Sequence, residues 1–272
     1  MKLASYNDGS RDGQLVVVSR DLAHAHYATG IASRLQQVLD DWNFMSPQLE
    51  DLSTRLNQGR ARHAFAFEPE KCMAPLPRAS QAVHGVAWQQ HLNLLDAVLP
   101  TPLERVRGEP LLEQLASDAF WGAKADAVFA EAAWDIDFEA GLAVITGDVA
   151  LGCSPPQALE GVRLLMLGNR WALRALLPGA PGQPVRGGAL LHGRPGMSFS
   201  PVAVTPDELG ESWQGGRVHL PLQASLNGRK VGSAEAGNDM SFHFGQLIAH
   251  AARSRPLRAG CIVSAGPVSN KE

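Results

Sequence analysis

The side chains best suited to chemistry are a carboxylate and two arginines in the middle of the chain. Glu139 lies in the alternating segment 134–146, where a carboxylate among apolar residues is unusual. The commoner arrangement for a glutamate is exposure to solvent on a half-exposed sheet. Arg170 and Arg174 follow the apolar run 162–167, which we interpret as a buried strand. Two guanidinium groups near a strand end are able to bind a carboxylate or an enolate. The alternative, which is commoner for arginines, is that they form surface ion pairs.

A lone histidine is the other candidate for chemistry. His91 follows Trp88 by three positions in a segment rich in apolar residues. A histidine in such surroundings is more often a packing residue with one hydrogen bond than a catalyst. The local motifs of serine hydrolases, P-loop proteins, dinucleotide-binding proteins and zinc proteases are absent from the sequence. The residues alone therefore offer candidates without a decisive catalytic motif.

Composition and charge exclude several classes of protein. The 272 residues carry 24 Lys+Arg and 27 Asp+Glu, a net charge of −3, which gives no basic footprint for nucleic acid. The apolar fraction of 45% is typical of a folded chain, and the length suits one large domain or a domain with a small appendage. Three widely spaced cysteines form neither a disulfide framework nor a zinc motif. Because signal-peptide and transmembrane patterns are also absent, we expect a cytoplasmic protein that does not enter a membrane.

Apolar periodicity and turn residues predict a mostly β chain with a few short helices. The expected elements are a hairpin around the turn 7–13, helices over 31–39 and 49–56, a strand over 134–146, a helix that starts after Ser154, a strand over 162–167, a strand over 217–226 that ends in an Asn227-Gly228 turn, a helix over 244–251 and a strand over 261–263. The pattern changes near residue 78, where we place a loose domain boundary.

Six longer segments together resemble the fumarylacetoacetate hydrolase family. They are residues 12–21, 135–140, 199–210, 236–245, 247–252 and 268–270. The resemblance implies an α+β, mostly β fold, a mixed β-roll or sandwich, with a small N-terminal α/β domain at 1–78 and a catalytic-type domain at 79–272. It also implies a homodimer that cleaves a carbon–carbon bond in acylpyruvates or β-diketones with the help of a metal ion. Relatives of this type decarboxylate, hydrate or isomerise similar oxo acids.

The family's catalytic and substrate-binding residues are carried over by position. His91 matches the catalytic histidine, with Trp88 in place of a tyrosine. Arg174 matches a substrate-contacting arginine, and Arg194 stands where the family has a lysine before a proline. Together with Arg170 they form the predicted binding set for a small-molecule oxo acid.

The metal site that the resemblance implies is incomplete. Asp126 and Glu139 match two carboxylate ligands of a Mg²⁺ or Mn²⁺ ion, whereas Gly141 and Arg170 replace two others. Pro267 stands where the family has a threonine. A guanidinium repels a divalent cation. We therefore expect the ion to be absent or weakly bound, and Arg170 to pair with Asp126 or Glu139 instead.

Three hypotheses about function remain open. The first is a divergent enzyme that acts on a small oxo acid, with His91 as base and the arginines as a metal-free electrophile. The second is a non-catalytic relative that keeps the dimeric scaffold as a binding or assembly protein. The third is slow hydrolysis with a weak ion held by Asp126 and Glu139. Because family members continue beyond the segment that matches 268–270, we also expect the sheet to lack its closing strands.

Overall fold

A twelve-stranded mixed sheet runs through the protein. The computed structural model describes residues 1–98, 108–177 and 189–271. The strands in these ranges are β1 (Lys2–Tyr6), β2 (Gln14–Val18), β3 (His24–Tyr27), β4 (Phe65–Ala66), β5 (Gln81–Gly85), β6 (Leu112–Leu115), β7 (Trp121–Gly122), β8 (Ile136–Thr146), β9 (Val162–Leu173), β10 (Gly196–Phe199), β11 (Ala203–Val204), β12 (Trp213–Gln214), β13 (Arg217–Val218), β14 (Pro221–Leu226), β15 (Arg229–Glu235) and β16 (Cys261–Pro267). The α-helices are α1 (Leu35–Asp40), α2 (Trp42–Asn57), α3 (Gln89–Val98), α4 (Pro155–Glu160), α5 (Ala189–Gly193) and α6 (Phe244–Ala251). None of the helices in the described ranges has the length and hydropathy needed to cross a bilayer.

The order of strands places β8 and β9 at the centre of the main sheet. That order is β4-β3-β2-β1-β11-β9-β8-β16-β5-β6, with β10 paired to β9 and β7 paired to β10. The pairs β12–β13 and β14–β15 form two separate two-stranded sheets. Since β1 pairs with β11, the N-terminal strands continue the sheet that the rest of the chain forms. The predicted mostly β class with few helices is confirmed.

Alternation along the central strands sends side chains into two hydrophobic cores. Ala143 and Ile145 of β8 enter one core, which the apolar faces of α1 and α2 also fill. Leu142 and Val144 enter the other, together with α6. Odd-numbered residues of β8 therefore face the core shared with α1 and α2, and even-numbered residues face the other core. Glu139 is on the face of β8 that carries Ala143 and Ile145.

Elements that are specified by residues close together in the sequence form where they are predicted. β1 and β2 make the opening hairpin. Ser154 precedes α4, and its backbone N–H donates to the side chain of Gln157 at 3.0 Å, as in a capping box. Asn227 and Gly228 adopt φ values of 50° and 76° in the β14–β15 turn. The helix predicted over 244–251 is α6.

Of the predicted strands, two differ most from those in the structure. The strand expected over 162–167 extends to Leu173, so Arg170 lies within β9 and not after it. The strand expected over 217–226 is two strands in different sheets. The N–H of His219 donates to the carbonyl of Ser212 at 2.7 Å, in register with the pairing of β13 to β12, and the break falls between this residue and Pro221, where pairing with β15 begins. Because proline lacks an N–H, it suits the start of β14 better than the interior of one long strand.

Candidate functional site

Glu139 and Arg170 lie directly opposite each other on β8 and β9. Opposed residues of an antiparallel pair project their side chains to the same face. Both are enclosed, with 6% of Glu139 and 1% of Arg170 exposed. Arg170 donates from Nε to Oε2 of Glu139 at 2.7 Å, and from Nη2 to the same oxygen. The alternative of a solvent-exposed Glu139 is therefore wrong, and of the two partners expected for Arg170 the structure has Glu139.

This pair belongs to a longer series of alternating charges, which we call the ion-pair row. Its members are Asp137, Arg174, Glu139, Arg170, Glu113 and Arg194. Arg174 donates from Nη2 to Oδ2 of Asp137 at 2.6 Å and to Oε1 of Glu139 at 3.1 Å. Glu113 accepts from Arg170 on Oε1 and from Arg194 on Oε2. Three guanidinium groups thus alternate with three carboxylates, and their charges balance.

Sequence reasoning missed two residues of this row, Asp137 on β8 and Glu113. Glu113 is the more deeply enclosed of the two. It lies on β6, where its register partner is His84 of β5. Glu113 shares a face of β6 with the buried Leu115. The sequence Leu-Glu-Gln-Leu puts one leucine on each face, so it gives no clear signal of a buried carboxylate. No local pattern identifies Arg170, 57 positions further along the chain, as the partner of Glu113.

A cleft of ≈ 320 Å³ lies beside the ion-pair row. Its charged or titratable lining comes from His91, Glu139 and Arg174. One wall is the β14–β15 hairpin, and Pro267 at the end of β16 contributes another part of the lining. The structure thus brings three of the predicted site residues to one cavity. Arg170 is not among the residues that line it.

His91 lies in the first turn of α3 because the preceding tryptophan fixes the start of that helix. Trp88 is fully buried, and its Nε1 donates to the carbonyl of Asn238 at 3.1 Å. Burial lowers the pKa of His91 to about 4, an effect that the carboxylate of Glu139 opposes and the neighbouring guanidinium groups reinforce. The imidazole is therefore neutral at pH 7. Its buried Nε2 has no hydrogen-bond partner among the described residues.

A second histidine lies close to the same charges. His84 is 2% exposed, and neither of its ring nitrogens has a hydrogen-bond partner within the described part of the chain. Burial, reinforced by the positive charges of Arg170 and Arg194, lowers the pKa of His84 well below its ordinary value. The site therefore contains two neutral imidazoles among charges that balance.

The remaining predicted residues lie outside the cleft. Arg194 follows α5 and pairs with Glu113, and burial lowers its pKa to about 10, so it stays charged at pH 7. Asp126 is exposed in the segment after β7. In the ranges that the structure describes, Asp126 forms no ion pair with Arg170. Its role as a metal ligand stays a prediction, as does direct substrate contact by Arg170 and Arg194.

Two family models match the chain in consecutive stretches. Residues 1–78 match the fumarylacetoacetase N-terminal domain 2, and residues 81–272 match the fumarylacetoacetate (FAA) hydrolase C-terminal domain. The chain belongs to the fumarylacetoacetate hydrolase family. The family resemblance seen in the sequence is confirmed. No curated protein sequence gives a significant match.

Solved structures of the fumarylacetoacetate hydrolase family share the fold. A maleylpyruvate hydrolase from Sphingobium sp. SYK-6, in complex with manganese (II) ion and pyruvate, is 15% identical with a TM-score of 0.68, and the match covers 98% of this chain and 89% of that one. The fumarylacetoacetate hydrolase of Exiguobacterium antarcticum is 19% identical with a TM-score of 0.67, covering 98% of this chain and 86% of that one. A protein described as a 2-hydroxyhepta-2,4-diene-1,7-dioate isomerase, from Mycobacterium abscessus, is 18% identical with a TM-score of 0.67, covering 99% and 86%. At these identities the likeness shows the fold alone.

The residues of this chain do not fit a divalent ion of the kind that the maleylpyruvate hydrolase holds. Both carboxylate oxygens of Glu139 already accept hydrogen bonds, from Arg170 and Arg174. A Cβ at Gly141 would overlap the carbonyl oxygen of Gly266, so the backbone of β16 fills the space that a ligating side chain would need. Across residues 1–98, 108–177 and 189–271, no three His, Cys, Asp or Glu side chains are grouped to hold a metal ion.

Proposed function

We propose that this protein hydrolyses a small oxo acid of the acylpyruvate type, with His91 as the base and Arg174 as the group that binds the substrate's carboxylate. One observation carries the proposal: a histidine that is neutral at pH 7 and an arginine line the same cleft. The volume of that cleft, ≈ 320 Å³, lies at the small end of ligand pockets. It suits an acid of a few carbon atoms.

Arg174 has the donors that a carboxylate needs. Its Nε and Nη2 are engaged by Asp137, at 2.9 Å and 2.6 Å, which fixes the plane of the guanidinium. Its Nη1 has no partner among the described residues, and 29% of the side chain is exposed. A planar guanidinium held in this way presents a fixed edge to an incoming carboxylate or enolate.

His91 has the protonation state that a base requires. Because the imidazole is neutral at pH 7, a ring nitrogen of His91 can accept a proton from water as that water attacks the acyl carbonyl. The bond between the acyl carbon and the adjacent methylene then breaks, and its electron pair forms the enolate of pyruvate. The proton on His91 passes to that carbon, which leaves a carboxylic acid and pyruvate. Arg174 offsets the negative charge that develops on the enolate.

A second candidate function is binding without turnover. A pKa of about 4 makes His91 a weak base, and this favours a non-catalytic relative that retains the cleft. A bound anionic substrate would raise the pKa of His91 and make it a stronger base, which favours the catalytic candidate. The homodimer and the cytoplasmic location expected from the sequence stay predictions.

The two candidates are separated by assaying acetylpyruvate, maleylpyruvate and fumarylacetoacetate, with loss of the diketone absorbance as the signal. We expect turnover of at least one compound, lowered by roughly 10²-fold or more in His91→Gln, the usual scale for losing a general base. Arg174→Gln is expected to raise KM for the same compound. Arg253→Gln removes an exposed arginine outside the cleft and serves as the matched control. Binding of these acids by calorimetry without any turnover would favour the second candidate, and unchanged turnover in His91→Gln would refute the role of that residue.

A further inference from the structure

We infer that Arg170 takes the place of a metal cation in this site, and that it excludes divalent metal ions by forming ion pairs with both Glu139 and Glu113. Exclusion of metal by Arg170 does not depend on whether the protein turns over an oxo acid.

Three nitrogens of one guanidinium hold this arrangement together. Nε and Nη2 of Arg170 donate to Oε2 of Glu139, and Nη1 donates to Oε1 of Glu113. All of the N–H-bearing nitrogens of the group are thus directed at the two carboxylates. A metal ion that approached Glu139 would need to displace a charged group that is already bound and almost completely enclosed.

The positive charge of Arg170 persists in spite of its burial. Burial lowers the pKa of Arg170, and the carboxylate of Glu139 opposes that effect through both its charge and its hydrogen bonds. An arginine starts from such a high pKa that it remains protonated in proteins. Its charge is therefore fixed, unlike that of a lysine or a histidine in the same place.

The ion-pair row leaves no excess negative charge for a metal ion. Each carboxylate in it contacts one or two guanidinium groups, and the numbers of the two are equal. A divalent cation added to Glu139 would bring two further positive charges next to Arg170 and Arg174. Repulsion between like charges at short range in a poorly solvated site opposes this strongly.

The backbone near Gly141, two positions after Glu139 on β8, also opposes metal binding. The register between β8 and β16 shifts between Ser264 and Pro267, and Gly266 adopts a φ of 95° there. This irregularity brings the carbonyl oxygen of Gly266 against the Cα of Gly141. A carboxylate-bearing residue at position 141 would have to move β16. The exclusion of metal therefore depends on backbone shape as well as on the charge of Arg170.

The first test measures Mn²⁺ binding by electron paramagnetic resonance, with free Mn²⁺ titrated against the 272-residue chain. We expect the wild-type protein and Glu139→Gln to bind equal amounts of Mn²⁺, because the carboxylate of Glu139 is already occupied. Mn²⁺ binding that is present in the wild-type protein and lost in Glu139→Gln would overturn the inference. This readout requires no catalytic activity, so it remains decisive if the proposed function fails.

The second test removes the cation. Arg170→Asp leaves Glu113 and Glu139 beside a third carboxylate, and we expect a gain of about one Mn²⁺ per chain that a second change, Glu139→Gln, abolishes. Arg194→Gln is the matched control, because it removes a guanidinium from the same row while Arg170 stays; we expect no gain. An equal gain in Arg194→Gln, or a folded Arg170→Asp that gains no Mn²⁺, contradicts the inference. Should circular dichroism show Arg170→Asp unfolded, the comparison of the wild-type protein with Glu139→Gln still decides.

Discussion

At the level of single residues, the site depends on two carboxylates that each accept hydrogen bonds from two guanidinium groups. Glu139 gives one oxygen to Arg170 and the other to Arg174, and Glu113 divides its oxygens between Arg170 and Arg194. Buried charges are tolerated in proteins when they are paired and hydrogen-bonded. Neutralising Glu113 therefore leaves Arg194 without its counter-ion and leaves Arg170 with Glu139 alone. The effect on stability should far exceed that of losing an exposed pair.

Glu113→Gln tests this argument directly. We expect the free energy of unfolding to fall by about 3 kcal/mol, the scale for removing one partner from a buried pair. Glu109→Gln is the matched control, since Glu109 pairs with Arg253 and both side chains are largely solvated. We expect this control to lose less than about 1 kcal/mol. Urea denaturation at pH 7 measures both changes. Equal losses in the two variants would show that the ion-pair row does not stabilise the fold.

At the level of elements, the site is shaped by the way β16 lies against β8. The two strands pair regularly from Cys261 to Ser264, and the irregularity before Pro267 then brings the backbone of β16 close to Gly141. Pro267 also lines the cleft. The residues that replace family positions at 141 and 267 therefore meet in space. A substitution at either position should therefore shift the backbone at the other.

Gly141→Ala probes this close approach. A single methyl group at 141 would overlap the carbonyl oxygen of Gly266, so we expect a loss of about 1–3 kcal/mol in the free energy of unfolding. Gly232→Ala on the exposed β15 is the matched control, because the nearest atom to a Cβ there is 3.9 Å away, on Ala224. That variant should be neutral or slightly more stable, since alanine restricts the unfolded chain more than glycine does. Thermal unfolding of both variants distinguishes the outcomes. A stable Gly141→Ala would mean that β16 shifts easily.

At the level of the whole molecule, the features that the sequence predicted well are those with a local signal. The Ser154 cap and the Asn227-Gly228 turn depend on adjacent residues, so their physical cause lies within a few positions. The pair of Arg170 and Glu139 was accessible through the family resemblance. Glu113 was not, because its contact with Arg170 depends on the strand order β9-β8-β16-β5-β6, which no local pattern specifies. The break in the strand predicted over 217–226 was missed for a similar reason, since its two halves join different sheets.

Two buried histidines couple the folding of the whole chain to pH. Burial lowers the pKa of His91 to about 4 and that of His84 well below its ordinary value. The charged groups that face His91 are one carboxylate and three guanidinium groups, those of Glu139, Arg170, Arg174 and Arg194. Between pH 6.5 and pH 4 the unfolded chain binds a proton at His91 that the folded chain does not bind. Stability is therefore lost as the pH falls through this window, and above it the contribution of His91 no longer changes.

His91→Gln should make the fold less sensitive to acid. Lowering the pH from 7 to 5 spans about 1.5 units below the ordinary histidine pKa, so the wild-type protein should lose about 2 kcal/mol more stability than His91→Gln does. Urea denaturation of both proteins at the two pH values gives this difference, and acid-sensitive groups that the two share cancel from it. His24→Gln, which changes an exposed histidine on β3, is the control and should follow the wild-type protein. Equal losses in the wild-type protein and His91→Gln would mean that His91 is protonated as readily in the folded chain as in the unfolded one. Its pKa would then lie near the ordinary value of about 6.5, at which most of the imidazole is still neutral at pH 7 and able to serve as the base.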